Sequence, residues 1–165
     1  MPATTLLAPV KRVKTIANSV AFGNVMVSVL LDGEDTGGSF SMMEVVAKPG
    51  TEPPYHVHEN EDEAFYLLEG RVSVMVDGQI YDMAPGESIF LPRGVPHTFR
   101  IRSEVARTIL TVTPSGFENY FRAIGHPVES LAIPDAAPPA ANYFERVSRI
   151  SAQHGVRIMQ DQPVF

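Results

Sequence analysis

Three of the five histidines stand in a pattern that can do chemistry. His56 and His58 are separated by one residue. On a strand, residues i and i+2 point to the same face, so both imidazoles can meet one ion. Glu63 opens an apolar run after a short polar turn, and a chain reversal there swings its carboxylate back to the pair. His97 follows Pro92-Arg93-Gly94-Val95-Pro96 and begins another run. Three neutral imidazoles and one carboxylate make a borderline nitrogen–oxygen set. It suits Fe(II), Mn(II), Co(II), Ni(II) or Zn(II), and it lacks the soft sulfur that selects Cu(I). Four protein ligands leave one or two open positions, as a catalytic metal requires. His-x-His alone is a weak signal, because two histidines on a solvated strand face have the same spacing. A third histidine and a glutamate at turn-separated strand starts strengthen it.

Strand parity names the apolar neighbours of these groups. Phe65 and Leu67 share a side with Glu63, and Phe99 and Ile101 share one with His97. Only one of Met42 and Met43 can face inward, and Met43 is taken as that residue. Core packing alone accounts for all of them, so substrate contact is the sharper of two readings. Parity turns Tyr66 away from this group, and Tyr55 and Tyr66 read as surface residues. His126 precedes Pro127 in a linker and His154 sits at a helix end, where the helix dipole favours a cation, so neither needs a ligand role. Glu59, Glu61, Asp62 and Glu63 form an acidic run without the spaced oxygen ligands of a calcium loop. Arg100, Arg102 and Arg107 read as solvated edge residues.

The elements that must position these groups are short strands. Val25–Leu31 ends at Asp32-Gly33-Glu34-Asp35, and Phe40–Ala47 at Lys48-Pro49-Gly50. Ala64–Leu68 stops at Glu69-Gly70. Val72, Val74 and Val76 alternate with other residues up to Asp77-Gly78, a hairpin signal. Ile80–Met83, Ser88–Leu91, His97–Ile101 and Arg107–Thr113 complete the set. Many strands with frequent turn signals argue for an antiparallel sandwich or barrel. The pattern changes after Thr113. Ser115-Gly116-Phe117-Glu118 has the spacing of a capping box, with Gly125 as a stop and Phe117, Tyr120, Phe121 and Ile124 as the apolar face. Residues 126–141 are rich in Pro and Ala and read as an extended linker. A second helix is predicted from near Ala140 to His154, ended by Gly155, with an apolar stripe of Tyr143, Phe144, Val147 and Ile150. The chain therefore divides into a β-barrel with its N-terminal strands over 1–113 and a helical extension over 114–165 packed on it, one domain overall.

Composition bounds the function. A chain of 165 residues holds one core, and 44% hydrophobic residues with 19% charged describe a globular protein. The absence of cysteine excludes a disulfide scaffold, a thiolate metal site and a thiol nucleophile. A net charge of −6 makes a poor general partner for nucleic acid or an anionic membrane. No apolar run approaches the roughly 20 residues of a spanning helix. The start, Met1 to Arg12, has no basic residue ahead of its short apolar patch and does not read as a secretory signal, which points to the cytoplasm.

The glycine frame around the ligands carries a resemblance. Gly50, five residues, His56, one residue, His58, four residues, Glu63, six residues, Gly70 matches the first cupin motif. Gly86, five residues, Pro92, one residue, Gly94, two residues, His97 matches the second. The sequence departs at the last motif position, where cupins often carry Asn and Ile101 stands instead; that Asn is not a ligand. The chain is thus identified as resembling the cupin superfamily. The resemblance implies an all-β double-stranded β-helix, or jelly-roll barrel, with one divalent transition metal per chain (Fe, Ni, Mn or Co, with Zn possible) held by His56, His58, Glu63 and His97. The strings Asp35-Thr-Gly-Gly-Ser-Phe40, Glu61 to Gly70, Pro114-Ser-Gly-Phe-Glu118 and Gly155-Val-Arg-Ile-Met159 look like single-domain cupins related to quercetinase. In that group a metal site binds a flavonol or other enolate-forming small molecule and dioxygen cleaves a carbon–carbon bond, with Glu63 as the catalytic base. The same barrel hosts isomerases, epimerases, decarboxylases and non-enzymatic binding proteins, so the fold does not choose among them. A homodimer is implied by resemblance to small cupins and by an N-terminal strand able to pair across subunits.

Overall fold

Turn residues set the strand lengths. Asp77 and Gly78, both at positive φ (48° and 79°), turn β6 (Val72–Val76) into β7 (Gln79–Met83), and such two-residue turns match the twist of the flanking strands. Gly70, at φ 90°, ends β5 (Asp62–Glu69), where a Cβ would run into the Val105 carbonyl oxygen. The computed structural model describes residues 7–135 and 141–165.

The other strands are β1 (Ser19–Phe22), β2 (Val25–Leu31), β3 (Ser41–Ala47), β4 (His56–His58), β8 (Ser88–Leu91), β9 (His97–Ile101), β10 (Ala106–Thr113), β11 (His126–Pro127) and β12 (Val156–Ile158). They form two antiparallel sheets, one of order β11-β1-β2-β3-β10-β5-β8 and one of order β12-β4-β9-β6-β7. This is the all-β jelly-roll that the spacing of turns predicts. The inward faces meet in one core that includes Val27, Met43, Leu67, Val74, Leu91 and Val112, each at most 1% exposed. No helix among the described residues is long and apolar enough to cross a membrane.

Three helices accompany the sheets. The single turn α1 (Gly33–Thr36) is capped by Asp32, whose carboxylate accepts from the Glu34 and Asp35 amides. Helix α2 (Glu118–Ile124) buries Phe117 at its start and Ile124 at its end. The capping box predicted there does not form. The Glu118 carboxylate instead accepts from the amides of Gly33 and Gly116, so it ties the helix start to α1 rather than to Ser115.

Helix α3 (Tyr143–Gln153) corrects one residue of the predicted stripe. Phe144 is 74% exposed, while Ile150 is buried and Tyr143 and Val147 are half-buried. Tyr143, Val147 and Ile150 follow the i, i+4, i+7 rule, and Phe144 lies about 100° round from that line. The predicted start near Ala140 and the 136–140 part of the predicted linker lie outside the described residues.

The tail is also more than helices. β11 extends the seven-stranded sheet by pairing with β1, and β12 pairs with β4. The N-terminal strand β1 is paired within the chain, between β2 and β11.

Candidate metal centre

The site is assembled across both sheets. His56 and His58 stand on β4, and His56 lies directly opposite His97, the first residue of β9. Glu63 is the second residue of β5, in the other sheet, opposite Val112 and Leu91. All four side chains are buried, at 7%, 2%, 2% and 4% exposure for His56, His58, His97 and Glu63.

Their donor atoms converge. His56 Nε2 lies 3.1 Å from His58 Nε2, and Glu63 Oε2 lies 3.1 Å from His97 Nε2 and 3.7 Å from His58 Nε2. One ring nitrogen from each histidine falls within 4.8 Å of the others, a grouping that could hold a metal ion. Backbone carbonyls settle two tautomers. His56 Nδ1 lies 2.8 Å from the Pro54 oxygen and His97 Nδ1 lies 3.1 Å from the Val95 oxygen. A carbonyl only accepts, so each Nδ1 carries the proton and, in the neutral ring, each Nε2 turns a lone pair inward. Lone pairs and a carboxylate oxygen this close, away from water, repel unless a cation or a proton lies among them. The donor set therefore fits a divalent transition metal.

Electrostatics says the same. Burial and then the charges of His97 and His58 hold His56 down at about 3. Burial alone would raise Glu63, but the charge of His58 and the hydrogen bond from His97 outweigh it and hold the carboxyl at about 2. For His58 burial acts downward, and the carboxylates of Glu63 and Glu61 more than offset it, so its pKa lies above the usual value. The cluster favours a positive charge at its centre.

The apolar candidates sort by depth. Phe65 and Phe99 lie two residues along the strands from Glu63 and His97, half-buried, with ring centroids 6.0 Å apart edge to face. Leu67, Ile101 and Met43 are buried in the core. Tyr66 is 45% exposed, on the outer face as parity requires. Sequence reasoning missed two neighbours of His58. Phe117 packs edge-on against its ring at 4.4 Å and stacks on Tyr120 at 4.9 Å; its apolar spacing marked it only as helix face. Glu61 turns inward 3.9 Å from His58 Nδ1, although its acidic neighbours make it read as solvated turn.

Comparisons with known proteins agree with this architecture. Residues 43–113 match the Cupin_2 family, described as a cupin domain. The chain is 29% identical over 125 residues to quercetin 2,3-dioxygenase of Bacillus subtilis, which covers 76% of this chain and 36% of that protein. It is 32% identical over 93 residues to a tetracenomycin polyketide synthase protein of Streptomyces glaucescens, covering 55% of this chain and 60% of that one. The chain thus spans about a third of the first relative and three fifths of the second. Among solved structures, KdgF from Halomonas sp. superposes with a TM-score of 0.59 at 14% identity, covering 66% of this chain and 96% of that one. Ectoine synthase from P. lautus gives 0.58 at 23% identity, covering 78% and 96%.

Proposed function

We propose that this chain, a cupin over residues 43–113, is a metal-dependent oxygenase that uses dioxygen to cleave a flavonol-like or other enolate-forming small molecule. One observation carries the reading: three imidazole nitrogens and one carboxylate oxygen converge in a buried space with no hydrogen-bond donor assigned among them. In the proposal His56, His58, Glu63 and His97 hold one divalent transition metal per chain. The similarity to quercetin 2,3-dioxygenases of Bacillus subtilis and Aspergillus japonicus, at 29% and 25% identity, supports the oxygenase class.

The bound metal supplies a Lewis acid that lowers the pKa of an enol or hydroxyl it meets. The chain's own residues do the rest. Glu63, held at about 2, is ionised at neutral pH, so its Oε2 can take the substrate proton as general base. Phe65 and Phe99 give an apolar wall suited to an aromatic ring and keep water from it, and Leu67, Ile101 and Met43 back that wall. The Pro54 and Val95 carbonyls hold the His56 and His97 rings in the productive orientation. Residues 1–113 are proposed as the catalytic barrel and 114–165 as its packed extension. A cytoplasmic homodimer is proposed from the cysteine-free composition and the exposed apolar side chains Tyr66 and Phe90 on one sheet.

The test is metal content by plasma mass spectrometry, followed by oxygen uptake with flavonols and diketones, on wild type and His58→Ala. About one equivalent of metal and substrate-dependent oxygen uptake are expected in wild type, and both are lost in the variant. Metal binding with no oxygen uptake on any enol would overturn the oxygenase reading in favour of a decarboxylase, isomerase or binding barrel. A wild type that cannot be loaded would overturn the metal reading itself.

A further inference from the structure

We propose that Glu61 is a positioning residue for His58: its carboxylate accepts the His58 Nδ1–H and so aims Nε2 into the metal site. The inference rests on the metal reading above. His58 Nδ1 and Glu61 Oε2 are both buried without a hydrogen-bond partner among the described residues. They face each other across 3.9 Å, and their side chains are 2% and 9% exposed. An inward-facing carboxylate and an inward-facing ring nitrogen, each orphaned, find in one another the partner that burial demands.

The other two histidines show what is missing. The residue two before His56 is Pro54 and the one two before His97 is Val95, and each offers its carbonyl to Nδ1. The residue two before His58 is His56 itself, on a strand flanked by β12 and β9, and no carbonyl reaches the His58 ring. Only a side chain can do there what the backbone does at the other two. The acidic run supplies it selectively. Glu59 pairs with Arg157 and Asp62 with Arg93 at the surface, Glu63 faces His97, and Glu61 has no arginine. Glu61 sits on the Nδ1 side of the ring, away from the converging Nε2 atoms, so it positions rather than ligates. A carboxylate behind a ligating imidazole fixes its tautomer and raises its basicity.

The test uses the full chain, stripped of metal, as wild type, Glu61→Ala and Glu61→Gln. Zinc affinity is measured by competition with a chromophoric chelator, and the His58 Nδ1–H resonance is followed by NMR in the zinc-loaded protein. Glu61→Ala is expected to bind zinc about 10–100-fold more weakly and to lose the protected Nδ1–H signal. Glu61→Gln, which keeps an acceptor oxygen, recovers the signal and most of the affinity. The melting temperature of the metal-free variants separates positioning from mere structure. Glu61→Ala binding within twofold of wild type with the signal intact overturns the proposal. So does a loss shared equally by Ala and Gln and matched by a fall in metal-free stability. A wild type that binds no zinc overturns the metal reading first, and this proposal with it, an outcome distinct from either of the others.

Discussion

His56 stays neutral at neutral pH because burial, then the charges of His97 and His58, hold its pKa at about 3. That has a consequence for the metal-free protein. Below the ordinary imidazole value of 6.5, the unfolded chain takes up a proton that folded His56 refuses. Its contribution to stability is therefore complete above 6.5 and is lost as pH falls from 6.5 toward 3. Glu63 acts in the same sense lower down, from its ordinary 4.5 toward about 2. His58 is raised, so below 6.5 it is protonated in both states and adds no slope there. The melting temperature of metal-free protein is expected to fall steadily between pH 6.5 and 4.5, and His56→Gln to flatten that limb. Calorimetry across the window decides it; equal slopes in the two proteins would mean His56 is not held neutral. Much of the residue scale was legible, because His56, His58, Glu63 and His97 are rare types at telling intervals. Glu61 was not, because nothing in a run of four acidic residues says which one turns inward.

The strands reach the site because glycines and aspartates stop them on time, and the same residues made most of them readable. β2, β6, β8 and β9 have the bounds that their flanking turns predict. β11 and β12 are two and three residues long and carry no pattern of their own; they are strands because a sheet edge is there to receive them. Ser115 fails to cap α2 because Glu118 finds the Gly33 and Gly116 amides instead, a contact that only tertiary structure creates. The glycines of the motif are also not equivalent. Gly70 combines φ 90° with a Cβ position against the Val105 carbonyl and the Ala106 Cα, whereas Gly94 at φ 77° faces open space. Strained backbone costs about 1–3 kcal/mol for an ordinary residue, and overlap with main chain adds to it. Gly94→Ala is expected to cost about 1 kcal/mol. Gly70→Ala is expected to cost at least 2 kcal/mol more in urea unfolding, at roughly the scale of a core cavity. Equal losses at the two positions would contradict this account of the frame.

At the scale of the molecule, the centre joins two layers that otherwise meet only through apolar packing. His56, His58 and His97 belong to the five-stranded sheet, and Glu63 belongs to the seven-stranded one. A metal held by all four would tie the sheets together in the folded state, while the unfolded chain keeps the ligands scattered over 42 positions, from 56 to 97. Binding confined to the folded state stabilises it by about 2.7 kcal/mol at a hundredfold excess over Kd. For a chain of this size that raises Tm by roughly 5–10 °C. Scanning calorimetry of metal-free and nickel- or zinc-loaded protein is expected to show that rise, and His97→Ala to abolish it. Glu63→Gln is the more informative variant. It leaves three imidazoles on one sheet, so metal is expected still to bind but to give a smaller rise, because the tie across the barrel is gone. A rise as large as in wild type would confine the clamp to the β4–β9 pair and leave Glu63 free of the metal, available only as the base.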